Sequence, residues 1–362
     1  MTSSMTPRQR VLTALERQEP DSVPYELPYG SFTPALMEVF RNETGADDPE
    51  EYFAYPVRSV SFGWPSAEER WRTYFAYYDS LPEGSSIGGW GEAQVPGSMF
   101  HFTRHVAPLR NAESVRAIEE YPLPDLEAPR FWSHLAEDVA ALHARDLASM
   151  GELGCTIFET SWAIRGLEEC LIDMQCRPEL AEALFERVTQ VRERQARRYA
   201  EAGVDILRLG DDISGQNGMM FSVDLWRRLL KPRLARVIAA AREVNPDIIV
   251  FYHSDGNCAD VVSELADIGV DVLNPVQPEC MDPAAMKREH GHRLAFWGTI
   301  GTQTTMPFGS PEDVMEEIRV RMETVGCGGG LLLAPSHILE PDVPWANVLA
   351  FFEGIRRYGN YS

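Results

Sequence analysis

The chain has 362 residues, 44% of them hydrophobic, enough to bury the core of one large domain. Its formal net charge of -22 is spread over short clusters such as "GADDPEEY", a solvated acidic surface that disfavours nucleic acid and anionic membranes as partners. The opening "MTSSMTPRQRVLTALERQEPDSVP" holds no apolar core of signal-peptide length, and no later run approaches a membrane span, so a cytoplasmic location is expected.

In chain order, "SVPYEL" reads as an early strand, and a second is expected between residues 60 and 105. The region from about 50 to 130 breaks any regular rhythm with aromatics in "WRTYFAYYDSLPEGSSIGGWGEAQVPGSMFHF", then a proline-rich connector, "YPLPDLEAPRF". It is expected to be an inserted loop and hairpin layer over one mouth of the fold, carrying His101 and His105, and not an independent domain. The whole of residues 1–362 is otherwise one domain. From residue 150 a strand-helix rhythm sets in, with apolar runs at "CTIFET", "DILRLGDD", "DIIVFYHSDG", "VDVLNP", "LAFWGTIG" and "GLLLAPSH". Between them, "PELAEALFERVTQVRERQARRYAEAG" repeats Leu180, Ala183, Leu184 and Val188 at helical spacing and ends at Gly203, a C-cap residue. "SPEDVMEEIRVRMETVG" opens with Ser310 as N-cap and Pro311 in the first turn. Continuously apolar strands alternating with helices require a parallel sheet covered by helices, and eight of them form a (β/α)8 TIM barrel. No GxGxxG follows any strand, which disfavours a dinucleotide-binding sheet.

In such a barrel the C-terminal strand ends converge on one mouth, where the chemistry sits. Those ends carry Glu159; Asp211 and Asp212; His253 and Asp255; Gln277, Glu279 and Cys280; Thr299 and Gln303; and His337. Imidazole and thiolate are ligands that zinc prefers, and three protein ligands leave a position open for substrate. His253, Cys280 and His337 are therefore the expected metal set, with Asp255 or Glu279 as a further or replacing ligand. Taken singly, each has a plainer role: a histidine bonding a loop, or a small buried thiol. The cysteines Cys155, Cys170, Cys176, Cys258, Cys280 and Cys327 form no CxxC pair, and Cys170, Cys176, Cys258 and Cys327 are read as packing residues. His290 and His292 fall in a helix-to-strand turn at the opposite mouth.

The stretches "MTPRQRVLTALERQEPDSVP", "AGVDILRLGDD", "FYHSDGN", "ADIGVDVLNPVQP", "LAFWGTIGTQ" and "GGGLLLAPSHILEPDVPWANVLAFFEGIRRYG" together resemble the uroporphyrinogen decarboxylase superfamily along nearly the whole chain. The true decarboxylase grips its acidic porphyrinogen with an arginine-rich motif similar to "RQAGRY", for which this chain has "YELPYGSFTPALMEVF". The resemblance therefore points to the other branch, zinc methyltransferases that work with corrinoid partners. In its coenzyme M members a histidine two residues before a cysteine, and a cysteine in an "APGC"-like turn, hold the metal. Here His253 matches the histidine, Asp255 replaces the first cysteine and His337 the last.

What the resemblance implies is a zinc-dependent methyl transfer without S-adenosylmethionine, from an O- or N-methylated small molecule to a corrinoid protein or a second small molecule. Asp211, Asp212 or Asp255 would serve acid-base steps. Trp90, Trp162, Met219, Phe221 and Trp297 are candidates for an apolar wall, and Glu159 and Gln277 for polar substrate contacts. Members of the superfamily are often dimers. Two other classes remain: a metal-independent decarboxylase or lyase using Asp211 and His253, and a noncatalytic small-molecule-binding barrel.

Overall fold

The computed structural model describes residues 4–95 and 104–361; His101 lies outside the described residues. Seven parallel strands follow one another around a curled sheet: β1 (Val57–Val60), β2 (Ala148–Gly154), β3 (Ile206–Gly210), β4 (Ile249–His253), β5 (Val272–Asn274), β6 (Ala295–Ile300) and β7 (Leu331–Pro335). The "SVPYEL" run adds the eighth stave. Tyr25 bridges Leu333 in parallel, with Glu26 N donating to Leu333 O at 3.1 Å and Leu333 N to Pro24 O at 2.9 Å. Pro24 has no N–H to give, so this stave makes a bridge and not a full ladder. The architecture is that of a TIM barrel.

The barrel interior is filled by inward residues of successive strands, among them Val57, Met150, Ile206, Phe251, Trp297 and Leu332. Helix Pro7–Leu15 inserts Val11 and Leu15 into the same cluster and closes that end. The outer helices pack as their periodicity demands. Pro178–Ala202 ends at Gly203 in the left-handed conformation, φ 82°, and Pro311–Arg321 begins with a reciprocal capping box between Ser310 and Asp313.

Two expected strands move. The second strand lies at Val57–Val60, ahead of residues 60–105, which instead carry helix Ala67–Tyr74 and the start of an antiparallel sheet of Ser86–Ile87, Ala93–Val95 and Arg104–Val106. "CTIFET" is not a strand but the entry to helix Phe158–Arg165; the strand is the preceding "ASMGELG". The reason is distant in sequence. The Asp211 carboxylate accepts the amides of Ile157 at 3.0 Å and Glu159 at 2.9 Å, capping the helix start from β3. Cys170 and Cys258 are buried as expected, whereas Cys176 and Cys327 are exposed. Among the described residues no helix is long and apolar enough to cross a membrane.

Candidate metal centre and substrate cavity

Strand β4 ends on His253, and its ring is oriented from the neighbouring strand. Asn274, at the end of β5, donates through Nδ2 to the Trp297 carbonyl at 2.9 Å, which turns its Oδ1 toward His253. His253 Nδ1 must then carry the proton and donate to Asn274 Oδ1 at 2.5 Å. The Nε2 lone pair is left facing Asp212 Oδ1 at 3.6 Å and Asp255 Oδ1 at 3.8 Å.

These three side chains offer ligand atoms that all lie within 4.8 Å of one another. Asp212 is held by the Asp255 backbone amide, which donates to its Oδ1 at 2.8 Å. The loop that carries Asp255 is pinned in turn. Gln277 Oε1 accepts the Gly256 amide at 2.5 Å, and Gly256, at φ 82°, passes so close to Gly215 that a Cβ there would lie 2.6 Å from its carbonyl. Asp255 Oδ1 is buried with no hydrogen-bond partner. A buried, unpartnered carboxylate oxygen beside a bare imidazole nitrogen costs free energy unless a cation fills the gap. Two carboxylates and an imidazole are compatible with zinc, and three protein donors leave a position open. Replacing Asn274 with alanine frees the His253 ring to rotate; metal affinity is expected to fall about 10–100-fold, measured by competition with a chromogenic chelator.

The expected set of His253, Cys280 and His337 does not assemble as such. Cys280 lies in the turn after β5 with its Sγ toward Gln277 Oε1 at 3.7 Å, and among the described residues it belongs to no cluster of three donors within 4.8 Å of one another. His337 stays beside the centre, its Nε2 3.8 Å from Asp255 Oδ2 and its ring edge-on to Tyr29. Glu279 bonds Gln303 N at 3.0 Å and Thr304 at 2.9 Å, away from the centre. Asp211 is corrected from acid-base residue to helix cap: it is buried, and its oxygens are taken by backbone amides. Burial pushes its carboxyl up to about 6 even so.

Above the centre opens a cavity of about 910 Å³, bounded by His253, Asp255, Asp212, His337, Glu159 and, from the inserted layer, Trp90. Matching residues 92–358, the chain fits the family model described as Uroporphyrinogen decarboxylase (URO-D). The chain belongs to the uroporphyrinogen decarboxylase family. It is 24% identical over 188 residues to a uroporphyrinogen decarboxylase of Chlorobaculum parvum, covering 51% of this chain; the chain spans about half the length of that curated relative, 50%. A methyltransferase from Methanosarcina mazei has the same fold, with a TM-score of 0.69 at 18% identity over 98% of this chain and 99% of the other.

Within this family barrel the remaining candidates divide. Trp90 and Trp162 line the cavity, Trp162 stacked on His105 with centroids 5.6 Å apart, and Glu159 lines it with Oε2 accepting the Asp212 amide at 3.1 Å. Trp297 does not: it plugs the barrel interior and donates to Glu26 Oε1 at 3.0 Å. Phe221 packs on Phe158, Met219 sits in the hairpin beyond β3, and Gln277 is buried holding the Asp255 loop, so none of the three bounds the cavity. Sequence reasoning missed Asn274, Tyr29, Phe62, Trp64, Arg192 and Arg208. Asn274 alone had a local signal, as the last residue of an apolar run. A further carboxyl, Glu26, lies below the centre with Arg208, and its enclosure pushes it up to about 8.

Proposed function

We propose that the protein is a metal-dependent methyltransferase that needs no S-adenosylmethionine. It takes a methyl group from an O- or N-methylated small molecule, an aryl ether or N-heterocycle, and passes it to a corrinoid on a partner protein or to a second small molecule. The observation that carries this reading is the cluster of Asp212, His253 and Asp255 at the floor of an aromatic-walled cavity. Family membership and the barrel shared with the Methanosarcina methyltransferase support it. Zinc held by Asp212, His253 and Asp255 would supply Lewis acidity at the heteroatom that carries the methyl group.

The chain's own residues supply the rest. Asn274 fixes the His253 ring, and the Asp255 amide fixes Asp212, so the donor set is ordered before substrate arrives. Glu159 faces the same space, and burial pushes its carboxyl well up, so it is placed to donate a hydrogen bond to the heteroatom as the bond to methyl breaks and its electron pair stays behind. Trp64, Trp90 and Trp162 form walls for a flat ring and keep water from competing.

The cavity's charge opposes the decarboxylase alternative. Its arginines, Arg192 and Arg208, are already committed: Arg192 to the carbonyls of Thr156 and Cys155 at 2.9 and 2.8 Å, Arg208 to Glu152 at 3.4 Å and to the face of Tyr29. Arg208 keeps a buried Nε without a hydrogen-bond partner, but one such donor does not grip a substrate with several carboxylates. The test follows a carbon-13 methyl group by NMR in the presence of cobalamin or an azole acceptor, before and after chelation. Transfer that stops on chelation and returns with zinc is expected; carbon dioxide release indifferent to chelation would favour the decarboxylase.

A further inference from the structure

The cavity has a sign. Among its described lining residues carboxylates outnumber guanidiniums five to two: Glu92, Glu152, Glu159, Asp212 and Asp255 against Arg192 and Arg208. Glu152 is paired with Arg208, and a divalent ion on Asp212 and Asp255 would offset that pair of charges. Glu92 and Glu159 then face the single charge of Arg192; burial pushes the Glu159 carboxyl well up, which leaves Glu92 to meet a cation, with no arginine or lysine in ion-pair contact among the described residues. Glu92 is buried in the inserted layer, where its Oε2 accepts the Trp90 amide at 3.1 Å; burial pushes its carboxyl up despite the attraction of Arg70.

The walls around these carboxylates suit a cation as well. Phe62 and Trp64 pack at 4.8 Å, and Trp64 meets Trp90 edge-on at 6.3 Å, a continuous aromatic surface. Where the chain itself brings positive charge into this cavity, it lays it on such a surface: the Arg192 guanidinium lies 4.7 Å from the Trp90 ring centroid, and Arg208 4.7 Å from that of Tyr29. Trp64 has no cation over it among the described residues and is 37% exposed. The net charge of -22 adds long-range attraction for a positive ligand.

The geometry points to an organic cation as the methyl donor: an aryl methyl ether that carries an ammonium group, its ether toward Asp212, His253 and Asp255 and its ammonium toward the aromatic and acidic wall of Glu92 and Trp64. This rests on the methyltransferase reading and narrows its substrate class. The transfer balances simply. The oxygen-methyl bond breaks with its electron pair on oxygen, the acceptor's lone pair forms the new bond to methyl, and the phenolate is protonated from solvent or from the substrate's own ammonium.

The test compares three ethers of one shape: 4-methoxyphenethylamine, 4-methoxyphenethyl alcohol and 4-methoxyphenylacetate. Binding to the purified protein with its resident metal is read by calorimetry with no acceptor present. The amine is expected to bind at least about tenfold more tightly than the alcohol, and the carboxylate most weakly. Glu92→Gln, which keeps an acceptor for the Trp90 amide, should bring the amine down toward the alcohol and leave the alcohol where it was. Equal binding of amine and alcohol, tightest binding of the carboxylate, or no binding of the amine at millimolar concentration would each overturn the inference. Because no turnover is read, a preference for the amine survives even if no ether ever loses its methyl group, and that second failure would count against the methyltransferase reading alone.

Discussion

Replacing His253 with alanine is expected, on the proposed mechanism, to abolish zinc binding and to cost roughly a thousandfold or more in methyl transfer, since Lewis-acid assistance is worth several kcal/mol. The cause is specific to this side chain. His253 is the one donor whose orientation is set by a neighbouring strand, through Asn274, and whose Nε2 meets Asp212 and Asp255 together. Removing it leaves two carboxylates with no nitrogen between them, one protein donor short of the three that hold a catalytic zinc. Turnover should fall far more than substrate affinity, because the aromatic walls of Trp64, Trp90 and Trp162 are unchanged. A variant that keeps both its metal and its rate would remove His253 from the mechanism.

The largest loss of stability is expected elsewhere, at Asp173→Ala. Arg165, 1% exposed, donates to Asp173 Oδ2 at 2.7 Å and to the Arg110 carbonyl at 2.9 Å, tying the helix that carries Glu159 and Trp162 to the next helix and to the inserted layer. Without Asp173 that guanidinium stays buried and loses its closest carboxylate partner among the described residues; Glu169 stands off at 3.7 Å. Stranding one member of a buried pair costs about 3–5 kcal/mol. Denaturant unfolding should show the unfolding free energy falling by that amount and the midpoint falling with it. Metal content per folded chain should not change, because Asp173 touches no donor, and this separates the scaffold from the centre.

Much of the barrel could be read in advance because β3 to β7, apart from Arg208 and the polar strand ends, are apolar on both faces, as a sheet buried between its interior and its helices must be. β2 escaped for the opposite reason. "ASMGELG" carries a glutamate that points into the cavity and glycines that let neighbours approach, Gly151 against the Tyr199 ring, so its pattern looks like a loop. The run beside it, "CTIFET", has strand composition but is turned into a helix by a carboxylate more than fifty positions away.

The centre was legible to the level of strand ends and no finer. His253, Asp212 and Asp255 all stood out there, yet successive residues after a strand point in different directions. Of the pair Asp211 and Asp212, one caps a helix and the other faces the cavity, a choice set by the turn after Gly210 and invisible to residue type. Cys280 sits at the right height but on a turn that aims its sulfur at Gln277. Trp64 and Glu92 belong to the inserted layer, whose fold over the mouth is tertiary information throughout.

On this reading the metal lies between Asp212, His253 and Asp255. Zinc content after exhaustive dialysis, compared between the wild type, Asp212→Asn and Cys280→Ser, tests it most directly. About one zinc per chain is expected in the wild type and in Cys280→Ser, and a deep loss in Asp212→Asn. Zinc lost from Cys280→Ser and retained in Asp212→Asn would contradict it, and would move the centre to the thiol side of the barrel mouth.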